Sequence, residues 1–251
     1  MGVQAFTNAS VLIGDLDASP FTNKVTSTVT VEMLDATVCG TGGFRSFAPG
    51  MRNGEMAAEG FADYAVGGTF EKISTGDGGI STLMSVAPIA PDTVLTAGDP
   101  VAFMRGPIDA ITVGPDGEAG QLARYSTHIA NDSVFGMGKV LHPLATRTTT
   151  ASGTAVLLTG PTISQTLWAG LHVTSGSGGT LTVRVQTDDS GGFGTPTTRI
   201  TFTATTGPVA AGEMKFLVPV GISSESHIRT SWTITAGSFT CAVNAAVVPN
   251  V

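Results

Sequence analysis

Charge is scarce in this sequence: Asp, Glu, Lys and Arg together make up 12% of its 251 residues, about half the share usual in soluble domains. The 12 Lys and Arg are dispersed and form no run that would neutralise several phosphates at once, which argues against nucleic-acid binding by attraction. Cysteine is scarcer still. Cys39 and Cys241 lie far apart and offer neither metal-ligand spacing nor a disulfide framework, which fits reduced thiols in a cytosolic product. No apolar run approaches the ~20 residues of a membrane helix, and Met1-Gly-Val-Gln-Ala-Phe6 lacks the basic and apolar regions of a secretory leader. Membrane insertion and conventional export are therefore not expected, and the sequons at Asn8 and Asn131 carry no weight.

Catalytic signatures are missing too. There is no phosphate-cradling Gly-Lys-Ser/Thr loop, no Gly-x-Ser-x-Gly elbow, no His-Glu-x-x-His and no Cys-x-x-Cys. His128, His142, His172 and His227 occur singly on predicted strands or their ends, where structural roles are expected. Asp15-Leu-Asp-Ala-Ser19 suggests a calcium loop but lacks the turn Gly and distal Glu of an EF-hand, and Asp188-Asp-Ser-Gly-Gly192 is similarly acidic and turn-like. They read as solvated turns, with a weak calcium site as the alternative. An enzyme is not expected, and no residue is nominated as catalytic, cofactor-binding or metal-binding.

What the sequence does hold is 33 Gly and 41% hydrophobic residues, with a mean hydropathy of +0.27. This composition belongs to a folded, turn-rich β protein rather than a disordered chain. Period-2 alternation begins with Val25, Val29, Val31 and Met33 against Thr26, Thr28, Thr30 and Glu32. Further strands are predicted over Glu55–Tyr64, Ile80–Val86, Pro100–Val113, Gln121–Ala130 and Val134–Leu141, with a hairpin turn at Gly114-Pro-Asp-Gly117. Only Thr69–Ser74 looks helical. The polar stretch Arg147–Thr154 suggests a boundary, giving domains 1–148 and 149–251.

Charge divides at the same place. The first part carries 15 of the 19 acids and 8 of the 12 bases, the second 4 of each. Past the boundary the alternation is cleaner, in Leu181, Val183 and Val185, in Ile200 and Phe202, in Phe216, Val218 and Val220, in Ile228, Trp232 and Ile234, and in Phe239, Cys241 and Val243. About seven such strands imply an antiparallel sandwich, of jelly-roll or Ig-like type, with Trp232 and Cys241 in its core. Trp168 falls on the opposite parity to Leu167, Leu171 and Val173, which points it at a domain interface or a partner.

Low charge on a β-rich chain leaves unpaired strand edges prone to association, a tendency that self-assembly would use. One region carries a more specific signal: Val29-Thr-Val-Glu-Met-Leu-Asp-Ala-Thr37, a Gly-rich loop ending Phe47-Ala-Pro-Gly50, and Arg52-Asn-Gly-Glu-Met-Ala-Ala-Glu-Gly-Phe61. With Glu32, Leu34, Asp35 and Thr37, then Phe47, Pro49 and Gly50, then Gly60 and Phe61, it resembles the tail tube (major tail) proteins of long-tailed phages, over the first 148 residues.

The resemblance implies an all-β fold: an N-terminal tail-tube-like β-sandwich or barrel with one short helix, here followed by the C-terminal antiparallel β-sandwich. It further implies a non-enzymatic virion protein whose copies close rings, six to a ring, that stack into a tube for DNA ejection. The loop would then contact neighbouring rings through Gly40, Gly42, Gly43, Phe44, Arg45, Phe47, Pro49 and Met51, with Phe44, Arg45 and Phe47 buried there. The implied partners are further copies of the chain and other phage tail proteins (tape measure, terminator, distal tail). DNA would pass through the lumen without specific binding, past a weakly acidic wall that does not arrest it. Assembly in the bacterial host cytoplasm and a final location in the virion follow, with no cofactor. The alternative is a carbohydrate-binding, adhesion or decoration module of a virion, and the C-terminal module is one that would decorate, brace or bind glycans.

Overall fold

A computed structural model describes residues 8–35, 47–65, 68–75, 81–90, 93–114, 122–130, 135–158, 165–208, 211–217 and 225–249. Among them the chain is all-β with one short helix, as its alternation predicts. In the first part run β1 (Asn8–Ile13), β2 (Leu16–Asp17), β3 (Thr22–Asp35), β4 (Phe47–Phe61), helix α1 (Thr69–Thr75), β5 (Ser81–Ile89), β6 (Pro100–Gly114), β7 (Arg124–Ala130) and β8 (Phe135–Arg147). Then follow β9 (Ala151–Ser152), β10 (Val156–Leu157), β11 (Gln165–Ser177), β12 (Thr180–Asp188), β13 (Thr197–Thr201), β14 (Thr205–Thr206), β15 (Ala211–Leu217), β16 (His227–Ile234) and β17 (Ser238–Pro249). The hairpin-turn residues 115–117 lie outside the described residues, and the strands they join, β6 and β7, pair antiparallel.

A central antiparallel sheet has the order β15-β11-β17-β8-β6-β5-β1-β2. Strand β6 belongs to two sheets. Its residues up to Pro107 pair with β5 and β8, whereas Ile108 to Gly114 pair with β7. Gly106-Pro107 occupies the transfer point, and Asp109 is the extra residue of a bulge between Ile108 and Ala110. Beyond it a four-stranded sheet runs β6-β7-β4-β3. A separate sheet, β10-β16-β12-β13 with β14 and β9 attached, covers the other end.

Three apolar layers follow from this arrangement. The four-stranded sheet packs Met56, Ala58, Tyr125 and Ile129 on Val11, Ile13, Met84, Val86 and Met104, with Ile73 of α1 beside them. At the other end, Val183, Val185, Ile228 and Trp232 of the six-stranded sheet pack on Leu167, Leu171, Phe239, Cys241 and Val243. Trp232 and Cys241 are thus core residues, as their parity predicts. Between the two layers lies a third, Leu83, Val101, Phe103 and Val140 against Trp168, Met214 and Ala246. The opposite parity of Trp168 is accounted for here, since it faces residues of the first 148.

The central sheet crosses the sequence boundary near residue 148: β8 pairs along β17 from Phe239↔Arg147 to Ala245↔Lys139. Strand β8 runs on to Arg147, past its predicted end at Leu141, to make this pairing. His172 of β11 ties the same junction. It is fully buried, with Nδ1 2.8 Å from the Gly14 carbonyl and Nε2 2.7 Å from Ser85 Oγ. Burial lowers its pKa to about 4, against the opposing pull of the Gly14 carbonyl, so Nδ1–H donates and Nε2 accepts.

One acidic turn departs from its reading. Asp188 is not solvated: it is buried and accepts hydrogen bonds from Ser190 N (2.9 Å), Ser190 Oγ (3.1 Å) and Thr195 N (3.2 Å). The Ser190 backbone N–H is the main cause holding its carboxyl below the usual range. Asp17 caps its own turn likewise, accepting from Ser19 N and Oγ, while Asp15 pairs with Lys72 of α1.

Candidate assembly interface

The four-stranded sheet buries one face and exposes the other. The alternation that sends Val25, Met56, Ala58, Tyr125 and Ile129 inward turns Thr26, Thr28, Glu55, Ala57, Glu59, Ser126, His128, Ala130 and Thr112 outward. This outer wall is made of short and polar side chains. Its carboxylates are Glu55, Glu59 and Asp109, against Lys24 and Arg124, and Lys24 is already bound to Glu59 at 2.7 Å. That exposed pair adds little stability, ~0.2–1 kcal/mol, but it removes a cation from the wall.

His128 straps three strands together. Its Nδ1 lies 2.5 Å from Asp109 Oδ1 on β6 and its Nε2 3.6 Å from Glu55 Oε2 on β4. The hydrogen bond to Asp109 is the chief cause raising its pKa. The two carboxylates sit on opposite ring nitrogens and do not converge on a common point. Among the described residues no group of three or more His, Cys, Asp or Glu is placed to hold a metal ion.

Both edges of this sheet are free among the described residues. On one side β3 pairs only with β4, and on the other the Ile108–Gly114 half of β6 pairs only with β7. An open groove of about 700 Å³ borders the start of β3, lined by Val11, Val25, Val86, Val101, Ala102 and Met137 among others. Unpaired strands of this length are ready templates for another chain.

The β3–β4 hairpin also overhangs the sandwich. Among the described residues β7 pairs with β4 from Glu55 to Phe61, and the strand pairing of Thr30–Asp35 is with Phe47–Asn53. Val29 and Met33 lie on its flank, 46% and 56% exposed. A two-stranded ribbon is marginal in water without something to pack on. Toward the opposite end of β4, Phe61, Tyr64 and Leu122 and, on α1, Phe70 are exposed apolar side chains. The Tyr64 and Phe70 rings are 4.9 Å apart, and Tyr64 and Leu122 are 57% and 70% exposed. The two ends are separated by the 15 residues of β4, roughly 45 Å at ~3.3 Å per residue.

Of the residues nominated from the sequence, Gly40, Gly42, Gly43, Phe44 and Arg45 lie outside the described residues. Phe47, Pro49 and Met51 were expected in a loop and stand instead in β4, opposite Asp35, Met33 and the register shift after Val31. Proline is accommodated because this part of β4 has a partner on one side only. The sequence did not point to the bulge at Asp109, which brings its carboxylate to His128, nor to the exposed ring pair of Tyr64 and Phe70. Both depend on which strands become neighbours.

The sequence matches no protein-family model and no curated protein. Several solved structures are similar to it, two of them as follows. One is a chain of the virion of a native gene transfer agent particle, 19% identical with a TM-score of 0.35, covering 51% of this chain and 95% of that chain. The other is the Dit protein of SPP1, described as a paradigm of the hub adsorption apparatus in Gram-positive infecting phages. It is 12% identical with a TM-score of 0.33, covering 95% of this chain and 98% of that one. At TM-scores this low neither likeness bears on function.

Proposed function

We propose that this protein is a structural virion subunit, a phage tail-tube protein whose copies close into rings that stack. One observation carries the reading: a four-stranded sheet with a polar outer face and, among the described residues, both edges unpaired. If β3 of one copy pairs with the Ile108–Gly114 half of β6 in the next, repetition joins the sheets into a continuous barrel and removes every free edge. The polar faces then line the lumen. A wall of Thr, Ser and Ala with a small excess of acid offers DNA no cluster of bases on which to stall. A ring of six is what the tail-tube resemblance implies.

Stacking uses the two ends of the same sheet. The overhanging part of the β3–β4 hairpin stands at one end, and the exposed Phe61, Tyr64, Phe70 and Leu122 at the other. A contact between unlike surfaces repeats without closing, so it builds a tube. The tape measure, terminator and distal tail proteins would bound that tube. No step of this function calls for a cofactor or a catalytic residue.

The test is negative-stain electron microscopy of the concentrated protein together with its mass in solution. Hollow rings or tubes with a bore of at least ~20 Å, enough for a DNA duplex, are expected. A monomer that persists at all concentrations, even when seeded with purified tail-tip complexes, would overturn the reading.

A further inference from the structure

The outer face of the six-stranded sheet has a composition unlike the rest of this acidic chain. Its exposed parity brings together Thr182, Arg184 and Gln186 of β12 with Thr233, Ser231 and Arg229 of β16. Thr198 and Thr201 of β13 flank them on one side and Ser152 of β9 on the other. Arg184 stands opposite Ser231 and Arg229 opposite Gln186, which makes the two arginines diagonal neighbours, roughly 7 Å apart at the backbone.

Both guanidiniums are held in place without an acid. Arg184 Nη1 donates to Thr233 Oγ1 at 3.2 Å and Arg229 Nε to Gln186 Oε1 at 3.1 Å. Arg229 also lies over the Phe193 ring at 4.2 Å. Phe193 is itself buried in a left-handed conformation, φ +50°, which is rare for an aromatic residue and is kept only where the surroundings impose it. Among the described residues neither arginine forms an ion pair. At the end of the face, Asp188 accepts hydrogen bonds from Ser190 and Thr195, and Glu225, just before β16, pairs with Arg199 of β13 at 2.7 Å. His227 ends the row, its Nδ1 2.8 Å from Ser226 Oγ.

We propose that this face binds an oxyanion-bearing glycan, a polyhydroxylated chain carrying phosphate or carboxylate groups. Two flat, pre-oriented guanidiniums with unused N–H donors match a bidentate oxyanion. The surrounding row of hydroxyls and one amide matches sugar hydroxyls, which both donate and accept. A sheet face suits an extended polymer, which can run along the row of side chains on β12 and β16. The site stands apart from the assembly interface, and its existence does not depend on whether the chain forms rings.

The full chain is titrated with three probes at low salt: dextran phosphate, carboxymethyl dextran and unsubstituted dextran of equal length. Binding is expected with the two charged dextrans, and their ranking tells phosphate from carboxylate. Unsubstituted dextran should bind at least roughly tenfold more weakly, and Arg184→Gln and Arg229→Gln should each weaken the charged probes by roughly tenfold. Arg229→Lys, which keeps the charge but loses the planar stack, should weaken them nearly as much. Arg105→Gln, at an exposed position of β6 outside this face, serves as the control and should bind as the unaltered protein does. Equal binding of all three dextrans, or arginine variants with unaltered affinity, would overturn the proposal. So would variants that lose self-association while keeping dextran affinity, because the face would then be a contact between copies.

Discussion

His172 shows how much one side chain adds where two stretches of chain meet. It is buried, donates to the Gly14 carbonyl and accepts from Ser85, so protonation would force Nε2 to give up its acceptor role. Its folded-state pKa of about 4 lies below the 6.5 of a free imidazole. Between those values the unfolded chain takes up a proton that the folded chain refuses, and stability must fall as pH falls. The full window corresponds to roughly 3 kcal/mol at ~1.4 kcal/mol per pKa unit. His142, lowered to about 4 by burial and then by Arg147, acts in the same direction. Thermal melts from pH 7 to pH 4 should therefore show a falling Tm, and His172→Gln should start lower at pH 7 but lose less on acidification. An unchanged pH slope in that variant would remove His172 from the account. The sequence marked this histidine as structural and went no further, because its partners are 158 and 87 residues away.

At the scale of elements, β3 and β4 were legible where alternation is strict and illegible where it stops. Val25 and the threonines after it fix a strand with one buried face, and β3 occupies that region. The same alternation makes Val29 and Met33 inward-facing, yet they are exposed, because the hairpin outruns the sheet beneath it. Phe47-Ala-Pro-Gly50 reads as a turn since Pro and Gly interrupt any period, but a strand with one free edge tolerates both. In the assembly reading those overhanging apolar residues meet a second copy. Val29→Lys with Met33→Lys should then abolish rings or tubes while shifting the Tm of the free subunit by no more than a few degrees, as surface changes do. Phe44→Asp and Phe47→Asp should block stacking in particular, leaving single rings in electron micrographs. Normal tubes from all of these variants would remove the hairpin from the interface.

For the whole molecule, the decisive feature is that the central sheet does not stop where charge and polarity change along the chain. Local composition marks Arg147–Thr154 as a linker, and β8 does end at Arg147, but from Lys139 to Arg147 it is paired with β17, some hundred residues later. Pairing between distant strands leaves no trace in local periodicity. Its one sign was Trp168, whose parity set it against its neighbours and which packs with Leu83, Val101, Phe103 and Val140. A chain cut after residue 148 would expose those four side chains. At ~1.5–3 kcal/mol each, the loss is on the order of 10 kcal/mol, comparable to the entire stability of an ordinary domain. Residues 1–148 expressed alone should therefore be insoluble or melt without a cooperative transition, whereas the full chain melts as one unit. Co-expression with residues 149–251 should restore solubility, because β11, β15 and β17 supply the missing wall. A soluble, cooperatively melting fragment would show that the N-terminal sandwich closes its own core and that the layer around Trp168 is a docking contact between two independent folds.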